Sequence, residues 1–172
     1  MRGDKFEFIG DSGMEKIQID IATHSGLTIM IFAEGTMLKP KSWLSLYNHK
    51  SYVPIGNAVN IINSWWQQGA NIIYCTSRKK KRALDIANIL REYGFCGRCL
   101  VSRGDKERYA EIAEELRPDI LIEDDCKSIG GTWQTCIHRV KAEIKQQIKS
   151  IVVSEFKGID HLPADISNLM NL

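Results

Sequence analysis

The stretch Thr28-Ile29-Met30-Ile31-Phe32-Ala33-Glu34-Gly35-Thr36 runs an unbroken apolar segment into an acid-Gly-Thr turn. A continuous apolar run, rather than an alternating one, marks a strand covered on both faces, and the glycine suits a tight turn at its end. Working outward, four further runs repeat this pattern: Ile72-Ile73-Tyr74-Cys75, Cys99-Leu100-Val101, Ile120-Leu121-Ile122 and Ile151-Val152-Val153. Amphipathic segments lie between them. Ile55, Val59, Ile62 and Trp66 fall at helical spacing before Gly69, and Ala83, Ile86, Ala87, Leu90 and Tyr93 before Gly94. Tyr109, Ile112, Ala113 and Leu116 form a stripe closed by Pro118, and Ile137, Val140, Ile144 and Ile148 form a fourth. Strand–helix alternation predicts an α/β three-layer sandwich around a central parallel, Rossmann-like sheet joined by right-handed crossovers. In such sheets ligands bind at the carboxyl ends of the strands.

Two segments fall outside the alternation. Residues 1–26 hold Lys16-Ile17-Gln18-Ile19-Asp20-Ile21, whose period of two predicts an edge strand or hairpin arm in an N-terminal extension to a core over 27–172. Residues 37–54 form a long connection carrying Trp43, Tyr47, His49 and Tyr52. With 172 residues, 44% hydrophobic and 26% charged, the chain fits one globular domain, and the composition argues against disorder. No apolar run approaches the ~18 residues of a membrane span, and the first residues lack a signal-peptide core, so a cytoplasmic protein is expected. A net charge of +2 is too mild for a dedicated nucleic-acid binder. Five cysteines, an odd number, favour reduced thiols over a disulfide framework.

The strand ends carry the chemistry. They read Glu34-Gly35-Thr36, Thr76-Ser77-Arg78, Ser102-Arg103-Gly104-Asp105-Lys106 and Glu123-Asp124-Asp125. In that order, over residues 28–156, they resemble the motifs of the haloacid dehalogenase-like superfamily in its small, capless form. The resemblance implies a phosphoryl-binding site at Gly35, Thr36, Thr76, Ser77, Arg78 and Lys106, with Glu34 at the general acid/base position. It implies Mg²⁺ on Asp124, with Asp125 as the weaker alternative for that role. It also implies an open site, covered by the aromatic connection or by the second subunit of a homodimer.

One departure decides the chemistry expected. Phe32 stands where the family's nucleophilic aspartate belongs, and a phenyl ring can neither attack phosphorus nor ligate a metal. Mg²⁺ binding is weakened accordingly, since that ion relies on carboxylates and substrate phosphate. The expectation is a degenerate site that binds a phosphorylated or anionic small ligand without aspartyl-phosphate chemistry. The alternatives are a phosphohydrolase using Glu34 or an activated water, and a non-catalytic protein binding a polyanion through Arg78-Lys79-Lys80-Lys81-Arg82. Five cations opening a helix oppose its dipole, which a bound anion would relieve; nucleic acid is disfavoured by the near-neutral total charge. Cys96-Gly97-Arg98-Cys99 enters its strand at the amino edge, opposite the acidic strand end, so no zinc site is expected.

Overall fold

The computed structural model describes residues 6–9, 14–19, 24–42, 49–79, 81–103 and 108–172. The chain folds as an α/β protein around a mostly parallel sheet with helices on both faces. Strands β1 (Phe6–Ile9), β2 (Met14–Gln18), β3 (Thr28–Phe32), β6 (Asn71–Thr76), β7 (Cys99–Ser102), β8 (Ile120–Asp124) and β9 (Lys149–Val153) form it in the order β1-β2-β7-β6-β3-β8-β9. The five strands from β7 to β9 run parallel. β1 and β2 add an antiparallel hairpin on the β7 side, with β1 outermost. The alternating N-terminal segment is therefore one arm of a hairpin and not the edge itself.

β3 lies in the middle of the five parallel strands and is apolar on both faces. Ile29 and Ile31 join Ile72, Tyr74, Leu100, Ile120 and Ile122 in one core. Met30 joins Ile73, Cys75, Cys99, Val101 and Leu121 in the other. The first core is roofed by α1 (Ala58–Gln67) and α2 (Lys81–Glu92), the second by α3 (Tyr109–Leu116), α4 (Cys136–Arg139) and α5 (Ala142–Lys145). Among the described residues, no helix is long and apolar enough to cross a membrane.

Two expectations need correction. The stripe from Ile137 to Ile148 reads as one helix, but Val140 and Lys141 are extended, at ψ 141° and 139°, and split it into α4 and α5. Tertiary hydrogen bonds account for the break: Glu123 accepts the first N–H groups of α4, and Glu114 accepts the Lys141 N–H at 2.9 Å. All four stripe residues remain buried, so apolar spacing survived while helical continuity did not. The connection over 37–54 contains a small ribbon, β4 (Leu38–Pro40) paired antiparallel with β5 (Tyr52–Pro54). Trp43 and Tyr47 lie outside the described residues.

The C-terminal segment closes the first core. Ile159, Leu162 and Leu169, the last on α6 (Ile166–Met170), pack with α1, and the Trp65 indole N–H donates to the Pro163 carbonyl at 2.9 Å. Trp65 is fully buried, whereas Trp133 is 70% exposed. Trp65→Ala is expected to lower unfolding free energy by ~3–5 kcal/mol, and Trp133→Ala to change it by no more than ~0.5 kcal/mol. Urea denaturation of both variants checks this; equal losses would contradict the placement of the core.

Candidate functional site

At the carboxyl ends of the parallel strands, the turn after β3 is drawn tight by its own backbone. The Ala33 N–H donates to the Cys75 carbonyl at 2.8 Å, and the Ala33 carbonyl accepts the N–H groups of Met37 and Leu38. This sets Glu34 and Gly35 at the rim of a cleft of about 410 Å³. Gly35 has φ +83°, and a Cβ built there would lie 2.5 Å from Asp124 Oδ2. The turn thus rests against the acid that ends β8, an approach only glycine permits. The Gly35 carbonyl also accepts the Phe156 N–H at 2.7 Å, which ties in the segment leaving β9.

On the other side stands the end of β6. Thr76 is buried, and its hydroxyl donates to Glu34 Oε1 at 2.7 Å while accepting the Arg78 N–H at 3.1 Å. The Ser77 hydroxyl donates to the same Oε1 at 3.3 Å. Arg78 Nε lies 3.3 Å from it as an ion pair, without an aligned hydrogen bond. Thr36 is fully buried, its hydroxyl without a hydrogen-bond partner, and is not part of the lining. Lys106 lies outside the described residues.

Phe32 forms part of the cleft's apolar wall. Its ring meets Tyr109 edge-on, centroids 5.3 Å apart at 79°. The Tyr109 hydroxyl donates to the Thr76 carbonyl at 3.3 Å, and the Arg103 guanidinium lies 5.5 Å from the Tyr109 ring centroid. Burial pushes the Tyr109 phenol well above its ordinary range. Cys126 and Cys136 also line the cleft. Burial, and then the nearby carboxylates Asp124, Glu123 and Glu155, push the Cys126 thiol up to about 12. Burial likewise raises Cys136. Thiols held protonated in this way are weak nucleophiles.

The acids of the cleft are crowded. Burial is the main cause that raises Asp124, opposed by the Cys126 N–H at 2.8 Å and reinforced by Glu155 and Asp125. Asp124, Asp125 and Glu155 offer oxygens within 4.8 Å of one another, the donor type a hard cation takes. Each of these carboxylates already accepts a hydrogen bond: Asp125 from the Glu155 N–H, and Glu155 from the Ser128 N–H and hydroxyl. Glu123 is 3% exposed and accepts the Cys136 and Ile137 N–H groups at 2.6 and 2.9 Å. Burial nevertheless lifts it to about 7.

Sequence reasoning missed Tyr109, Glu155 and Phe156 as parts of the cleft. The strand-end logic used for the other runs, applied to Ile151-Val152-Val153, points to Ser154-Glu155-Phe156. Cys99 opens β7 at its amino end, and neither it nor Cys96 belongs to the cleft lining among the described residues.

No protein-family model and no curated protein matches the chain. Similar folds exist among solved structures. A chain of the Pnkp1/Rnl/Hen1 RNA repair complex superposes with a TM-score of 0.54 at 15% identity, covering 78% of this chain and 45% of that one. A chain of another Pnkp1/Rnl/Hen1 complex structure gives 0.53 at 14%, covering 76% and 47%. This chain therefore spans less than half the length of either neighbour. At such identity the likeness concerns the fold alone.

Glu123 makes a measurable pH prediction. Its folded pKa, about 7, lies above that of an unfolded glutamate, so the native state holds a proton that the unfolded chain releases first. Its contribution to stability is full below the unfolded value near ~4.5 and is lost as pH rises through 7. The loss is on the order of 3 kcal/mol. The difference in unfolding free energy, wild type minus Glu123→Gln, is expected to fall between pH 4.5 and 7.5 in urea denaturation. A difference that stays flat or rises would contradict the raised pKa.

Proposed function

We propose that the chain is a protein of haloacid dehalogenase-like build whose cleft binds a phosphorylated or similarly anionic small ligand without forming an aspartyl-phosphate. The observation that carries this reading is the convergence of the Thr76 and Ser77 hydroxyls and the Arg78 guanidinium on one oxygen position at the carboxyl ends of the strands. Hydroxyls and a guanidinium aimed at one point form a donor set for an oxyanion. The resemblance assigns a further charge at the site to Lys106, which lies outside the described residues. A divalent cation accompanying the ligand would be held by Asp124 and Asp125, with Glu155 beside them, and would lack the carboxylate that Phe32 replaces.

The chemistry is limited by what the cleft does not offer. Phe32 has no lone pair at the nucleophile's position, and burial holds Cys126, Cys136 and Tyr109 in their protonated forms. Glu34 Oε1 is engaged by Thr76, Ser77 and Arg78, which leaves Oε2 as the oxygen that could act on a water. A second reading, in which a longer polyanion docks here, is favoured by a basic recess formed by Ser77, Arg78, Lys79, Lys81 and Arg82. It shares Ser77 and Arg78 with the cleft. Binding to an unstructured polyphosphate with a steep salt dependence would promote it.

A hydrolysis screen over phosphorylated metabolites and an aryl phosphate tests the first reading, with Phe32→Asp beside the wild type. Wild-type turnover is expected to be absent, as removing a nucleophile from residues that act as a unit costs ~10⁶ in rate. Robust wild-type turnover abolished by Glu34→Gln would replace this reading with a hydrolase using Glu34. Turnover that survives Thr76→Ala would place the chemistry elsewhere.

A further inference from the structure

We infer that Glu34 is an internal anion that occupies the phosphoryl position, so that a ligand binds only by displacing it and the site discriminates against monoanionic carboxylates. This inference rests on the reading just given and concerns the selectivity of the same site. A single oxygen, Oε1, lies 2.7 Å from Thr76 Oγ1, 3.3 Å from Ser77 Oγ and 3.3 Å from Arg78 Nε. The donor set is therefore satisfied by the chain's own carboxylate.

Strand pairing brings the occupant and the donors side by side. β3 and β6 run side by side with Phe32 opposite Cys75, so the turn at Glu34 and the donors after Cys75 leave the sheet together. The occupant is nevertheless displaceable. Glu34, Ser77 and Arg78 all line the cleft, and the Arg78 side chain is 29% exposed. Arg78 Nε makes no aligned hydrogen bond in the pair, so it retains donor capacity that a better-placed oxyanion can use. The cleft that Glu34 lines, about 410 Å³, offers space for the carboxylate to move into.

Displacement has a cost, and the cost sets the selectivity. Asp124 and Glu155 line the same cleft, so the carboxylate moves toward like charge when it leaves Arg78. A tethered group also competes at the high effective concentration of an intramolecular partner, on the order of millimolar or above. A free carboxylate offers the donors nothing that Glu34 does not already offer. A phosphate dianion brings a second charge and further acceptor oxygens for the two hydroxyls and the guanidinium. The site therefore admits dianionic phosphoryl groups and rejects carboxylates.

Calorimetric titration of the full chain with inorganic phosphate, and separately with acetate, tests this. The proteins are wild type, Glu34→Ala, Glu34→Gln, Thr76→Val and the double variant Glu34→Ala/Thr76→Val, each checked for folding by circular dichroism and thermal melting. Glu34→Ala is expected to bind phosphate at least tenfold more tightly than wild type. Glu34→Gln, which keeps the shape and drops the charge, should gain less, and serves as the readout should the alanine variant fail to fold. Acetate should bind Glu34→Ala, replacing the severed carboxylate and competing with phosphate, and should not bind wild type. The phosphate gain should vanish in the double variant. If Glu34→Ala binds no better than wild type while Thr76→Val weakens both, phosphate uses the site but Glu34 does not hold it; the inference falls and the reading stands. A gain that persists without the Thr76 hydroxyl would trace to lost charge alone and would also overturn the inference. Phosphate binding by none of the proteins would remove the reading and the inference together.

Discussion

The contact between Gly35 and Asp124 is the constraint on which the cleft depends. The chain leaves the middle strand of the sheet and must reverse within a few residues, and Asp124 ends the neighbouring strand at the same height. With φ at +83° and no side chain, Gly35 lets the turn lie directly on that carboxylate. A β-carbon would push the turn outward and carry Glu34 away from Thr76. The bond from the Phe156 N–H to the Gly35 carbonyl fastens the exit of β9 to the same point. The ends of three parallel strands are thus held together by one residue's missing side chain.

Electrostatics explain why the cleft is so guarded. Among the described residues its lining sets Glu34, Glu123, Asp124 and Glu155 against the guanidinium of Arg78. The protein offsets this crowding locally. Glu123 sits on the first N–H groups of α4 and, at about 7, carries a proton for much of the time near neutrality. Glu155 is bound by Ser128, and Asp124 by the Cys126 N–H. Phe32 adds no charge to this crowding: its ring packs edge-on against Tyr109. The ring thus adds apolar wall, and no further charge, to a site that already has several carboxylates.

The sheet was legible because its strands are apolar on both faces: Ile29, Met30 and Ile31 leave no reading but a doubly covered strand. The site was legible as far as strand-end logic was carried, which reached Glu34, Thr76, Ser77, Arg78 and Asp124. It did not reach Tyr109, whose apolar spacing with Ile112 and Leu116 marks it as core and says nothing of its hydroxyl meeting the Thr76 carbonyl. Nor was the division of α4 from α5 legible. Spacing reports which side chains face the sheet, whereas the break depends on Glu114 and Glu123, acids on other elements that take backbone N–H groups. Pairings of that kind have no local signature.

The length of the side chain at position 34 connects these points. Thr76 follows the strand next to β3, so a group on the β3 turn must reach sideways across one strand spacing to meet its hydroxyl. Glutamate spans that gap at 2.7 Å. An aspartate on the same backbone would fall short by about the length of one C–C bond, ~1.5 Å, and would leave Thr76, Ser77 and Arg78 open to the cleft. The extra methylene therefore does more than vary an acid's reach. It sets a carboxylate oxygen of position 34 on the Thr76, Ser77 and Arg78 donors. Phe32 and Glu34, separated by one residue, accordingly give the cleft an apolar wall beside a carboxylate that holds its own donors.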